Sequence, residues 1–256
     1  MKKHIALLAC LALLACGILF SLRTHSGAVA EGATAMDKAF FSLSVITAVA
    51  GLAGVIAVHT PRRRHSDIRS LAMASVFAAL CYVGCTYLRI PIPGFTSFFH
   101  FGNTFCVLAA LFLGGFWGGM AGAVGMTLSD LLNGYVDSAP RTFILKLCIG
   151  LVAGLVAHRG FHLSEGASRR RVPLSVATAL SCAAGMGFNM VADPLLGYFY
   201  KMYVMGIPQD LASSLAKISS LATAVNAAVA VFSATVFYLA LRPALSHAGL
   251  MPRLDG

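Results

Sequence analysis

The sequence predicts an all-α integral membrane protein, on three observations. Of its 256 residues 58% are hydrophobic and only 11% charged, with a mean hydropathy of +0.82, whereas soluble domains carry about 25% charged residues. The apolar residues are gathered into runs long enough, or nearly so, to cross a hydrocarbon core about 30 Å thick as helices. Most of the lysines and arginines behind the formal net charge of +10 fall between those runs.

Taken in order, residues 1–60 predict a two-helix extension. Lys2, Lys3 and His4 precede an apolar run over 5–22. An uncleaved span is the preferred reading. A signal peptide cut after Ala28-Val29-Ala30 and a lipoprotein-type segment at Leu13-Leu14-Ala15-Cys16 are the alternatives. A second span covers 39–59, and 61–69 form a basic cytoplasmic linker containing Arg62-Arg63-Arg64. Residues 70–241 predict six helices, with spans over 70–88, 101–116, 118–133, 141–157, about 173–193 and 214–241. Pro91, Pro93 and Gly94 make 89–100 a loop. A second loop, 194–213, carries Tyr198, Phe199, Tyr200 and Tyr203. Residues 242–256 read as a cytoplasmic tail.

The basic residues orient these spans. With the N-terminus in the cytoplasm, twelve of the 19 lysines and arginines lie inside and five outside, while Lys146 and Lys217 lie within spans. That is the positive-inside pattern of a multi-pass inner or plasma membrane protein. It explains the basic charge through the lipid bilayer and leaves no role for nucleic acid.

Small residues recur at four-residue spacing between Gly115 and Ser129, a pattern that lets membrane helices approach closely. The seven cysteines all fall in apolar runs without metal-ligand spacing and read as packing residues; no metal or cofactor is expected. His158 and His162 read as a solvated helix end. No phosphate loop, HExxH or GxSxG pattern is present, so catalysis lacks support and no enzyme is predicted.

Polar residues within the spans collect at one depth. Asp130 and Lys146 lie beneath the same short corner, and each needs a partner because a lone charge costs roughly 2.5–3.5 kcal/mol on insertion scales. The reading pairs them across that corner. Asn103, Asn133, Asn189 and Asp193 lie at the same outer end of their helices. Such convergent groups under aromatic loops suit a small-molecule site opening outward. The candidate binding residues are Asn103, Asp130, Tyr135, Lys146, Asn189, Asp193 and Tyr198.

From about residue 70 to 241 the chain resembles the substrate-binding S component of an energy-coupling factor (ECF) vitamin transporter, of the riboflavin-type subgroup. The residues that carry the likeness are Ile90-Pro91-Ile92-Pro93, Phe101-Gly102-Asn103, Leu113-Gly114 through Gly118 to Gly122, and Gly125. They continue with Ser129-Asp130-Leu131-Leu132, Gly134-Tyr135, and Thr142 followed by Lys146, with Asn226 less securely matched. The resemblance implies a six-helix S-component core, preceded here by the two extra helices. It implies capture of a vitamin or precursor at the outer face, and partners comprising a membrane coupling subunit and two cytoplasmic ATPases. It also implies that small residues of the first core helix dock on that coupling subunit, which points to Ala74 and Ala78. A stand-alone vitamin permease and an intramembrane enzyme using Asp130 or Asp193 are the alternatives.

Overall fold

The computed structural model describes residues 68–91, 98–165 and 172–249. The expected two-helix extension over 1–60, most of the linker and the last residues of the tail lie outside them. The described chain forms six α-helices and one β-hairpin: α1 (Ile68–Thr86), β1 (Arg89–Pro91), β2 (Phe98–His100), α2 (Gly102–Leu113), α3 (Gly115–Leu132), α4 (Ala139–Leu155), α5 (Leu174–Phe199) and α6 (Gln209–His247). It divides into two compact units. The larger holds 68–191 with 221–249, and the smaller holds 192–220.

Among the described residues four helical stretches are long and apolar enough to cross a membrane: Ile68–Thr86, Val136–Gly160, Leu174–Val204 and Gln209–His247. Helix α2 falls short of the span expected over 101–116. Its twelve residues reach only about 18 Å at 1.5 Å each. All of them except Phe105 are buried. A helix apolar on every side belongs inside a bundle, and α2 is bordered by α1, α3 and α4. Phe112 also packs on Tyr238 of α6, with ring centroids 4.7 Å apart.

Helix α3 explains the glycine spacing. A methyl group at Gly118 would overlap the backbone of Ala110 on α2, and one at Gly122 would meet Cys106. On another face, Gly119 and Gly115 lie against Gly150 and Gly154 of α4, so close that neither side has room for a side chain. Gly125 abuts the Ala78 carbonyl of α1. Three neighbours thus approach one helix at backbone distance, which is the packing open to helices that gain no hydrophobic energy from association in lipid. Gly114 makes the sharp α2–α3 corner at φ 82°, and its N–H still bonds to Ala110 O at 3.1 Å. The break between the spans expected over 101–116 and 118–133 is therefore one residue wide, at Gly114, and the glycines after it are helical.

Two expected loops are more ordered than predicted. Residues 89–91 and 98–100 pair as antiparallel strands, with Arg89 opposite His100, Ile90 opposite Phe99 and Pro91 opposite Phe98. The aromatic loop expected over 194–213 is mostly helical. Helix α5 runs through Pro194 to Phe199 and continues as a π turn over Tyr200–Val204, leaving only 205–208 before α6. Pro194 removes one N–H from the helical ladder, a defect that membrane helices tolerate. Phe199 and Tyr203, four apart, stack with centroids 6.0 Å apart.

His158 corrects another expectation. It lies in a π turn, Val156–Gly160, at the end of α4, and is 3% exposed rather than solvated. Its Nε2–H donates to Ala110 O at 3.1 Å, the carbonyl that also receives the Gly114 amide. His162 follows at φ 51° and bonds Glu165 at 3.0 Å.

Candidate functional site

The candidate site lies at the hairpin end of the larger unit. There α1 ends, α2 begins, α3 ends and α4 begins, so four termini and the hairpin bring polar side chains to one depth. Lys146 of α4 is buried at 6% exposure and Asn103 of α2 at 2%. Lys146 Nζ donates to Asn103 Oδ1 at 2.9 Å. One turn nearer the start of α4, Thr142 Oγ1 donates to Asp130 Oδ2 at 2.5 Å. Asp130 and Lys146, expected to meet across the corner, thus each have a hydrogen-bond partner of their own. Thr142 and Lys146 share a helix face, but that face borders two helices, so Thr142 meets α3 and Lys146 meets α2.

A third group closes the α1–α3 seam. Thr86 Oγ1 and Ser129 Oγ lie 2.9 Å apart. Asn133 Nδ2 donates to Ser129 O at 2.8 Å and to Thr86 Oγ1 at 3.4 Å. Its Oδ1 accepts from Arg89 of β1 at 3.0 Å. The Arg89 guanidinium also lies 4.8 Å from the Phe98 ring centroid, a cation–π distance. Phe98 in turn meets Tyr135 edge-on at 5.8 Å, so one aromatic candidate joins the hairpin. His100 Nδ1 and Cys85 Sγ are 3.5 Å apart, and Lys146, Asp130 and Arg89 all lie within electrostatic reach of that thiol.

Asn189 of α5 is 1% exposed, and its Oδ1 has no hydrogen-bond partner. A buried carbonyl left so costs about 1–3 kcal/mol, which suits a group that waits for a ligand. Asp193 and Tyr198 fall in the smaller unit, where Tyr198 lies edge-on to Phe199 at 5.2 Å. Of the seven candidates, the larger unit therefore brings Asn103 to Lys146 by direct contact, with Asp130 and Tyr135 beside them.

The pair assigned to partner docking serves the bundle itself. Ala74 is only 7% exposed, and the Ala78 carbonyl abuts Gly125. The open flank of α1 carries Ala72, Ser75, Val76 and Ala79 instead.

Sequence reading missed the hairpin's own contribution. Asn226 of α6, less securely matched in the resemblance, bonds the backbone of β2 twice through its side chain. Arg89, Asn133 and His100 read as loop or helix-end residues because each finds its partner at long range. Their signal was the collection of side chains with polar heads at one depth. Among the described residues no group of three or more His, Cys, Asp or Glu could hold a metal ion.

Residues 65–243 match the family model described as ECF-type riboflavin transporter, S component. A stretch of 67 residues is 37% identical to an "uncharacterized protein in gap 3'region" of Pyrococcus woesei, covering 26% of this chain and 45% of that protein. The chain thus matches about half the length of that relative. No solved structure matches.

Proposed function

The chain belongs to the ECF-type riboflavin transporter S-component family, a transporter family of multi-pass membrane proteins rather than an enzyme family, and on that premise we propose that the hairpin-end cluster is its vitamin site. The buried Lys146–Asn103 contact carries this reading. A cation placed at 6% exposure beside a neutral amide is costly. Two ammonium N–H groups and the Asn103 amide N–H2 remain for a ligand. Donors so arranged fit the carbonyl oxygens and ring nitrogens of a planar heterocycle, and Phe98 and Tyr135 supply aromatic surface beside them. Asn189 of the same unit is proposed to complete the site.

The positive-inside pattern puts the hairpin end outside. The subunit then captures a vitamin or vitamin precursor from the outer face, and the hairpin covers it. Delivery inward uses docking of α1 on a membrane coupling subunit served by two cytoplasmic ATPases. Ala74 is buried and the half-buried Ala78 has its carbonyl against Gly125, so the proposed docking face moves to the open flank at Ala72, Ser75 and Ala79, small residues three and four apart that allow close, reversible approach.

Mass spectrometry of small molecules that co-purify with the full chain tests the reading. The expected result is a heterocyclic vitamin or precursor present with wild type and depleted with Lys146→Met. Equal loading of both proteins would remove the cluster from the site. Uptake by cells lacking every coupling subunit would overturn the borrowed-energy mechanism and indicate a stand-alone permease.

A further inference from the structure

We infer that Asn226 is a positioning residue for the vitamin site: its carboxamide stands in for a third β-strand and fixes the hairpin over the ligand. The inference rests on the hairpin being the cover proposed above. Asn226 Oδ1 accepts from His100 N–H at 2.9 Å, and its Nδ2 donates to Phe98 O at 2.9 Å. The side-chain amide therefore presents one acceptor and one donor to alternate residues of β2, as the peptide of a neighbouring strand would.

The arrangement answers a physical need. In an antiparallel pair the main-chain groups of alternate residues face opposite edges. Phe99 faces β1, where it sits opposite Ile90, so Phe98 and His100 turn their polar groups away from β1. In a membrane protein an open strand edge away from water has no solvent to satisfy it. Asn226, itself 6% exposed, supplies both missing partners from α6. The same two residues also hold the strand by their side chains, Phe98 beneath Arg89 and against Tyr135, His100 through Cys85. The side-chain contacts come from α1, its hairpin and the α3–α4 corner, whereas the main-chain bonds at the edge facing away from β1 come from α6. Freeing Asn226 would therefore loosen β2 while leaving Lys146 and Asn103 in place.

The chemistry of the pair predicts a graded series. Asn226→Ala loses both bonds. Asn226→Asp keeps the acceptor for His100 but sets a carboxylate oxygen against Phe98 O. Asn226→Gln keeps both groups on a stem one methylene longer, which displaces the strand. The test uses the full chain in nanodiscs and reads two quantities: hydrogen exchange of the 98–100 amides without ligand, and dissociation of the ligand that co-purifies with wild type. Asn226→Ala is expected to raise exchange at His100 at least tenfold and to speed dissociation by about the same factor. Association should change less than threefold. Asn226→Gln should fall between it and wild type, and provides the readout if the alanine variant does not fold. Unchanged exchange in both variants would overturn the strand-mimic role. Faster exchange with unchanged dissociation would overturn the link to ligand retention. A wild-type chain that yields no ligand would count against the vitamin site, while the exchange measurement would still decide the contact.

Discussion

Lys146 Nζ lies 2.9 Å from Asn103 Oδ1, and both side chains are more than nine-tenths buried. This one contact ties α4 to the most enclosed helix of the bundle and fixes a cation at the hairpin end. Structure and proposed ligand chemistry are therefore separable at this pair. The contact holds two helices together, while the proposed ligand would engage the ammonium's remaining donors.

Lys146→Met and Asn103→Ala should act differently. Methionine keeps most of the volume and removes a buried charge, a relief that offsets the roughly 1–3 kcal/mol cost of leaving the Asn103 carbonyl without its donor. The protein should stay folded and lose at least about tenfold in ligand affinity, or about 1.4 kcal/mol. Asn103→Ala leaves the cation without its amide and should destabilise by about 1–3 kcal/mol. Thermal unfolding in detergent, together with ligand titration, separates the two. A methionine variant with wild-type affinity would exclude Lys146 from the site.

Thr142→Val tests the second contact. Valine matches threonine in shape but offers Asp130 no hydroxyl. Hydrogen bonds to charged groups contribute roughly 1.5–3 kcal/mol, so the melting temperature should fall, and Asp130→Asn should recover little of it. If Thr142→Val melts with wild type, the 2.5 Å contact contributes nothing to the α3–α4 corner.

Among the described residues some glycines must stay small and others need not. Gly118→Ala and Gly150→Ala would drive a methyl into facing backbone, which cannot swing aside as a side chain can. Each should cost about 1–3 kcal/mol or more. Gly187 in α5 has open space around the position of a Cβ, so alanine there should be neutral or stabilise by up to about 1 kcal/mol through helix propensity. Equal melting of Gly118→Ala and Gly187→Ala would refute the backbone-contact account of α3.

The order in which these features became readable follows the range of the interactions. The six helices of the block were legible because apolar runs and glycine spacing are local. The extent of α5 was not, since Pro194 and the aromatic residues after it carry turn signals that packing overrides. Lys146, Asn103 and Asp130 were legible as costly polar groups in apolar runs, but their partners were not. A helix face read from Thr142 and Lys146 does not say that it borders two helices. The hairpin was hidden for the same reason. Its strands are three residues long and one edge is completed by Asn226, more than a hundred residues away in the chain. His158 was misread because a polar residue near an arginine-rich loop looks solvated, while its hydrogen-bond acceptor lies on α2.

The final prediction concerns α1, whose two flanks separate folding from docking. Ala79→Trp places a large ring on the exposed flank, where it meets nothing within the described bundle. It should leave ligand binding by the isolated protein within about threefold, or 0.7 kcal/mol, and abolish uptake in cells that carry the coupling module. Ala74→Trp puts the same ring at a site only 7% exposed, so overpacking should lower stability and binding together. Binding measured on purified protein and uptake measured in cells give the four values needed. Normal uptake with Ala79→Trp would clear that flank of a docking role. A stable, binding-competent Ala74→Trp that fails only in uptake would return the interface to the Ala74 and Ala78 side.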